Sequence, residues 1–219
     1  MDNEHGTWAN GLNHAEHVLG RISRELAVKF DGVFTAEMVD RYVFESYTAL
    51  ARTARIKTYL PSITRHFAYD RLTALAHSQG TRPSGKPEVL FVCVQNAGRS
   101  QMAAALLKHH AGETVNVRSA GSMPAEHLLP NVTAAMNDLG INLEHEFPKP
   151  LTDDVVRAAD VVVTMGCGDA CPIYPGKRYE DRKIEDPEGG TLQDVLTIRD
   201  QLDQRVKKLL ASLSTEAGP

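Results

Sequence analysis

Cys93 and Arg99, with five residues between them and Ser100 directly after, are the part of this chain best suited to covalent chemistry. They belong to Cys93-Val94-Gln95-Asn96-Ala97-Gly98-Arg99-Ser100, between an apolar run, Val89 to Val94, and a helical pattern from Arg99 to His110. A strand that ends in such a loop and turns straight into a helix brings the helix's unpaired N–H groups, and the positive end of its dipole, to the loop's interior. A tetrahedral oxyanion fits there, so Val94 to Ser100 is the expected oxyanion-binding segment. The same field favours the thiolate form of Cys93, which is the form that attacks. Arg99 offers a planar fork of donors for two oxyanion oxygens. Gly98 lets the backbone turn tightly against the ligand, and Ser100 can donate a hydrogen bond to the sulfur. The spacing alone also fits a buried thiol at a strand end beside a surface cation. The strand–loop–helix setting, with Gly before the Arg and Ser after it, favours the chemical reading.

A nucleophile of this kind calls for a general acid. Asp186-Pro187 lies in an acidic stretch, Glu185 to Gly190, but Asp-Pro pairs are commonly just turns, and spacing alone leaves both readings open. The other two cysteines stand in Met165-Gly166-Cys167-Gly168-Asp169-Ala170-Cys171-Pro172. Three cysteines fit a secreted disulfide framework poorly. In a reducing compartment, cysteines that work in redox chemistry form transient disulfides. A four-ligand zinc site would need further Cys or His nearby, so no metal site is expected. A turn carrying two inert thiols remains an alternative.

The elements that must position these residues change character along the chain. Ser78 to Pro87 is rich in Gly, Pro and Ser and reads as a linker. Before it the periodicity is helical: Ala15, Val18, Leu19, Ile22 and Leu26 share one face, and Val39, Tyr42, Val43, Tyr47 and Leu50 another. Thr35 suits an N-cap, Pro61 a first turn, and Gly80 a helix end. The expectation is a three-helix bundle over residues 1–80, a linker over 81–87, and an α/β domain over 88–219. In that domain, strands are expected at Val89 to Val94, Thr114 to Arg118, Ala159 to Met165 and Lys177 to Ile184. Helices are expected near Asn131 to Leu139, after an N-cap at Thr152, and from Thr191 to Leu213. Alternation of this kind predicts a flavodoxin-like parallel four-stranded sheet with helices on both faces and a ligand site at the strands' carboxyl ends.

Composition is ordinary, with 42% hydrophobic and 24% charged residues and a formal net charge of −4. Arg52, Arg55, Lys57, Arg65 and Arg71 are spread over two helices and read as solvated charges, so no nucleic-acid surface is expected. His109 and His110 suit a helix C-terminus. Apolar runs such as Val161 to Val163 are too short to span a bilayer. The first residues have no basic and apolar leader pattern, so the expected location is the cytoplasm.

From about Pro87 to Leu213 the chain resembles the low-molecular-weight phosphotyrosine phosphatase superfamily, and within it the arsenate reductases. The resemblance is carried by the Cys93–Ser100 loop, Ser119-Ala-Gly121, Pro150-Leu-Thr152, Ala159 to Met165, and Asp186-Pro187. It implies that Cys93 attacks the central atom of the oxyanion, Arg99 stabilises it, and Ser100 tunes the thiolate. Asn96 would order the loop with Ser119 beside it, and Asp186 would protonate the leaving oxygen. Gln101-Met102-Ala103 after Ser100, Glu188 where phosphatases carry Tyr, and above all Cys167 and Cys171 favour a reductase over a phosphatase. The implied reaction is reduction of arsenate to arsenite through a Cys93/Cys167/Cys171 disulfide relay, with phosphate or sulfate as competing oxyanions. No tightly bound cofactor is implied; an external thiol reductant, thioredoxin or mycothiol with mycoredoxin, would regenerate the enzyme. The compact Cys-x3-Cys form is similar to actinobacterial reductases, as is the helical extension, read as a dimerisation or docking module. Ala104 and Pro150 stand where some relatives carry acidic residues linked to a cation, so no potassium site is implied. A tyrosine-type phosphatase and a non-catalytic redox or oxyanion sensor are the alternatives.

Overall fold

The computed structural model describes residues 5–54, 59–81, 85–166 and 171–216, and the chain divides into two compact units, Met1–Arg82 and Pro83–Pro219. The first unit consists of three helices: α1 (His5–Lys29), α2 (Ala36–Ala51) and α3 (Leu60–Ser78). Their apolar stripes close on one core, with Leu19, Ile22, Leu26 and Phe30 packed on Val39, Tyr42 and Val43 and on Ala68 and Leu72. Thr35 Oγ1 accepts the Met38 N–H at 3.3 Å, and Pro61 sits in the first turn of α3. Gly80 follows that helix with a positive φ of 68°. Arg71 departs from the solvated reading: it is buried, donates to Ser46 Oγ at 3.1 Å and Glu45 Oε2 at 3.2 Å, and lies over the Tyr42 ring. A guanidinium can be buried this way because its partners satisfy its charge and donors together. Arg55 and Lys57 lie outside the described residues, as does part of the linker, 82–84.

The second unit runs β1 (Glu88–Cys93), α4 (Arg99–Ala111), β2 (Asn116–Gly121), α5 (Pro130–Asn137), α6 (Asp153–Ala158), β3 (Val161–Thr164), β4 (Arg178–Asp181) and α7 (Leu192–Glu216). All pairings are parallel and the strand order is β2-β1-β3-β4. β1 lies between two strands and is buried along its length, which is why it reads as an uninterrupted apolar run. Val89, Phe91 and Cys93 face a core shared with Met102 and Leu106 of α4, Met136 of α5, and Val195, Ile198 and Leu202 of α7. Leu90 and Val92 point the other way and are buried too. The chain crosses from β2 to β3 on the opposite side of β1, so a topological switch point lies at the carboxyl ends of β1 and β3.

Boundaries differ from expectation in informative places. β2 continues to Gly121, past the expected end at Arg118, because Gly121 pairs in register with Cys93; nothing in Ser119-Ala-Gly121 looks like a strand locally. β4 stops at Asp181 and has one neighbour, β3. Thr152 occupies the N-cap position of α6 but makes no capping bond; its hydroxyl is buried with no partner among the described residues. His110 meets Asp203 of α7 at 2.5 Å, and α4 is ended by Gly112, whose N–H donates to the Lys108 carbonyl at 3.0 Å. Among the described residues no helix is long and apolar enough to cross a membrane.

Candidate active site

The loop between β1 and α4 is held from outside by its carbonyls. Ser122 N–H donates to the Cys93 carbonyl at 3.2 Å, Met123 to Val94 at 2.8 Å, Ala125 to Gln95 at 2.9 Å and Leu129 to Ala97 at 3.1 Å. A trans peptide sets its N–H opposite its C=O, so pinning these carbonyls to residues 122–129 turns the amides of 94, 95, 96 and 98 toward the interior. The loop becomes a ring of backbone donors capped by the start of α4, which is an anion nest. Asn96 N–H confirms the direction by donating to Cys93 Sγ at 3.2 Å.

Asn96 is the organising residue. It has a φ of 49°, alone among the described non-glycine residues in the left-handed region, where a short polar side chain with local partners is tolerated. Its side chain is fully buried and satisfied: Oδ1 accepts from Lys149 N–H at 2.8 Å and from Gln101 Nε2 at 3.0 Å, while Nδ2 donates to Ser100 Oγ at 2.7 Å. Ser100 Oγ stands 2.9 Å from Cys93 Sγ. Because that oxygen already accepts from Asn96, its one O–H proton is available for the sulfur. The Cys93 sulfur therefore has two donors aimed at it, a main-chain amide and a hydroxyl.

Three supports were not recognised in the sequence. Gln101 is buried and ties Asn96 to the Phe147 carbonyl, at 3.0 and 2.9 Å. Lys149 contributes its main-chain N–H. Gly121 lies so close behind the loop that a Cβ there would stand 2.7 Å from the Val94 carbonyl oxygen and 2.9 Å from Asn96 N. Ser119 is buried on the same strand, but its register partner is Phe91; Gly121 is the residue opposite Cys93. No local signal pointed to this close approach, because Ser119-Ala-Gly121 does not read as a strand in the sequence.

Arg99 is buried, with Nη2 donating to Asp186 Oδ2 at 2.5 Å and Nη1 to the Ile184 carbonyl at 3.4 Å. The fold thus brings Asp186, half-exposed, to the guanidinium that a bound oxyanion would engage. Asp186, Pro187 and Glu188 meet the Cys93–Ser100 loop in succession. Pro187 is so close to Gly98 that a Cβ there would stand 2.5 Å from Pro187 Cγ, and Glu188 accepts from Gln95 Nε2 at 2.9 Å.

Gly166, the residue before Cys167, has a φ of 74°, and a Cβ on it would stand 3.1 Å from Arg99 Nη1. Cys167 lies outside the described residues. Cys171 is buried, its Sγ 3.9 Å from the Pro172 carbonyl. The Tyr179 hydroxyl ties down the chain beyond it, donating to that carbonyl at 3.1 Å and accepting the Tyr174 N–H at 2.9 Å. Burial, with Cys171 nearby, raises the Tyr179 phenol above its ordinary range. Among the described residues no group of His, Cys, Asp or Glu could hold a metal ion.

The turn that delivers Lys149 has its own electrostatics. Burial works against ionisation of Glu146, but the ammoniums of Lys149 at 2.6 Å and Lys108 at 3.0 Å outweigh it and hold the carboxyl at about 2, below its ordinary 4.5. A carboxyl whose folded value is depressed stabilises the fold above its unfolded value and loses that contribution as protons are added. Glu146→Gln is therefore expected to lower stability at pH 7, by roughly 2 kcal/mol once solvent screening is allowed for. It should also flatten the loss of stability that wild type shows as pH falls from about 4.5 toward 2. Denaturant titrations across that range check this; parallel pH curves for the two proteins would refute it.

A family model described as low molecular weight phosphotyrosine protein phosphatase matches residues 88–218, and one described as protein-tyrosine-phosphatase-like, N-terminal domain, matches residues 19–76. A solved thioredoxin-dependent arsenate reductase from Corynebacterium glutamicum is 50% identical with a TM-score of 0.83, covering 91% of this chain and 98% of its own. A putative arsenate reductase of Halobacterium salinarum is 34% identical over 124 residues, 54% of this chain and 87% of that protein. The solved YwlE arginine phosphatase from Geobacillus stearothermophilus is 27% identical with a TM-score of 0.53, over 59% of this chain and 94% of its own. With its Cys93–Ser100 loop built between β1 and α4 and an N-terminal helical unit ahead of it in the chain, this protein belongs to the low molecular weight phosphotyrosine protein phosphatase family.

Proposed function

We propose that this chain is an arsenate reductase that turns over by a thiol relay. The observation that carries the reading is the Cys93 sulfur, held by Asn96 N–H and Ser100 Oγ inside a ring of amides next to a buried Arg99. Likeness to arsenate reductases at 50% and 34% identity supports arsenate as the oxyanion. Cys93 thiolate forms a bond to arsenic, and an arsenate oxygen leaves as water with Asp186 as the proton source. Cys167 thiolate then attacks Cys93 Sγ; the sulfur–arsenic bond breaks with its electron pair going to arsenic, which leaves as arsenite. Cys171 attacks Cys167, freeing Cys93, and an external dithiol reduces the Cys167–Cys171 disulfide. Two thiols supply the two electrons in each turn.

Two features support the relay. Gly166 brings the chain against Arg99 one residue before Cys167. Cys171, with three residues between it and Cys167, is a buried thiol. Thioredoxin is the proposed reductant, on the strength of the thioredoxin-dependent relative; mycothiol with mycoredoxin is the competing one. Such chemistry belongs in a reducing compartment, so the proposed location is the cytoplasm. The helical unit, residues 1–80, is proposed as a docking or dimerisation module.

A single turnover without reductant tests the reading. Wild type is expected to release one arsenite per protein and to lose two titratable thiols. Cys171→Ser should still release that first arsenite but fail to turn over repeatedly with thioredoxin. If wild type released no arsenite with thioredoxin or with mycothiol and mycoredoxin, yet hydrolysed an aryl phosphate through Cys93, the phosphatase reading would replace this one.

A further inference from the structure

Cys171 is buried, yet Pro172 and Ile173 directly after it are exposed, Ile173 by 81%. A thiol on an exposed turn is kept inside by whatever holds that turn, and here the holder is Tyr179. The Pro175-Gly176 turn, with Gly176 at a φ of 78°, folds the chain back so that Tyr179 of β4 meets residues 172–174. The Tyr179 hydroxyl donates to the Pro172 carbonyl at 3.1 Å and accepts the Tyr174 N–H at 2.9 Å. A carbonyl can only accept and an amide can only donate, so the direction of both bonds is fixed. The turn is braced from α6 as well. The Tyr174 hydroxyl donates to Asp153, and the Arg157 guanidinium lies 4.2 Å from the centre of the Tyr174 ring. The Lys177 ammonium donates to the carbonyls of Arg157 and Ala159, at 2.6 Å each. Pro172 restrains Cys171 covalently, because its ring keeps the preceding residue out of the helical region. Burial, and then Cys171, push the Tyr179 phenol above its ordinary 10, so it remains a donor at neutral pH.

One hydroxyl thus fixes two main-chain groups on the carboxyl side of Cys171. We propose that Tyr179 is a positioning residue for the last thiol exchange of the relay, its hydroxyl holding Cys171 as the stationary partner onto which Cys167 closes. In that exchange the Cys171 thiol gives its proton to solvent and its sulfur bonds to the Cys167 sulfur. The Cys93–Cys167 bond breaks, its electron pair leaves with Cys93, and no net oxidation occurs. Closing a disulfide requires the two Cα atoms to come within about 4.4–6.8 Å. Holding one of the two cysteines still removes much of the search that closure otherwise requires. The inference rests on the thiol-relay reading above, and it names the side chain that serves the relay's last internal step.

Tyr179→Phe tests it in the full-length protein, because the change removes the hydroxyl and keeps the ring. Single turnovers with arsenate and no reductant are quenched at intervals and alkylated. Arsenite is then measured, and the Cys93–Cys167 and Cys167–Cys171 disulfides are separated by peptide mass. Disulfides are counted per arsenite released, so unfolded protein does not enter the comparison. In Tyr179→Phe the first arsenite is expected to appear within about two-fold of the wild-type rate, because Cys93 and Cys167 release it. Conversion of Cys93–Cys167 to Cys167–Cys171 is expected to slow by about five-fold, the scale of one hydrogen bond removed. Cys171→Ser cannot make that conversion and provides the reference signal for Cys93–Cys167. Conversion in Tyr179→Phe within about two-fold of wild type overturns the inference. Equal slowing of arsenite release and of conversion overturns it too, because Tyr179 would then support the fold at large. Wild type is assayed first: no arsenite from it defeats the arsenate reading itself, whereas unchanged conversion in a variant that releases arsenite defeats this inference alone.

Discussion

Cys93→Ser is expected to release no arsenite above the uncatalysed background while still binding phosphate. Reduction of arsenic needs an electron pair from a breaking sulfur–arsenic bond and a second thiol to complete a disulfide; a serine oxygen can supply neither. The loop does not depend on the sulfur. Its carbonyls are fixed by residues 122–129, and Asn96 is held by Lys149, Gln101 and Ser100. Serine at position 93 leaves those bonds in place, so the ring of amides and Arg99 should persist as an anion site. Arsenite would be measured after single turnovers, and phosphate binding by the rise in Tm with added phosphate. Arsenite from Cys93→Ser at more than a few per cent of wild type would remove Cys93 from the centre of the mechanism. Loss of phosphate binding together with a collapsed Tm would show that the loop needs the sulfur structurally.

Arg99→Lys is expected to lower kcat/KM for arsenate by about 10²- to 10³-fold, the range for removing one preorganised oxyanion donor. The charge is retained but the geometry is not. Arg99 reaches Asp186 with Nη2 and the Ile184 carbonyl with Nη1, a fork of planar donors set by a buried side chain. A lysine ammonium is a single point that can satisfy one of those partners, and it cannot hold two oxyanion oxygens in one plane. The loss should fall on kcat as well as KM, because the fork serves the charge that develops on the oxygens during attack. Steady-state kinetics with thioredoxin recycling would decide it. A decrease of less than about ten-fold would mean that charge alone, and not the bidentate geometry, stabilises the reacting oxyanion.

Much of this protein is written locally in the sequence. The helices of the first unit follow from apolar stripes at helical spacing, with Thr35 and Pro61 marking their starts. The buried strand β1 follows from an apolar run, and the candidate site loop from Cys93, Arg99 and Ser100 lying within eight residues of one another. Such features are legible because their partners are neighbours in the chain and follow from backbone periodicity and helix-end chemistry. Tertiary structure decided the rest. Arg99 meets Asp186 across a separation of 87 residues, Gln95 meets Glu188 across 93, and Asn96 receives Lys149 across 53. Those pairings depend on the strand order β2-β1-β3-β4 and on the register that puts Gly121 opposite Cys93, which no short-range pattern encodes. The burial of Arg71 in the helical unit has the same cause: Ser46 and Glu45, which let the charge be buried, lie on a different helix. The sequence by itself placed Cys93, Arg99 and Ser100 together in one loop between a buried strand and a helix. Only the fold decided that Asp186, already singled out as a candidate acid, reaches Arg99, because that contact is set by long-range packing rather than by anything the neighbouring residues can specify.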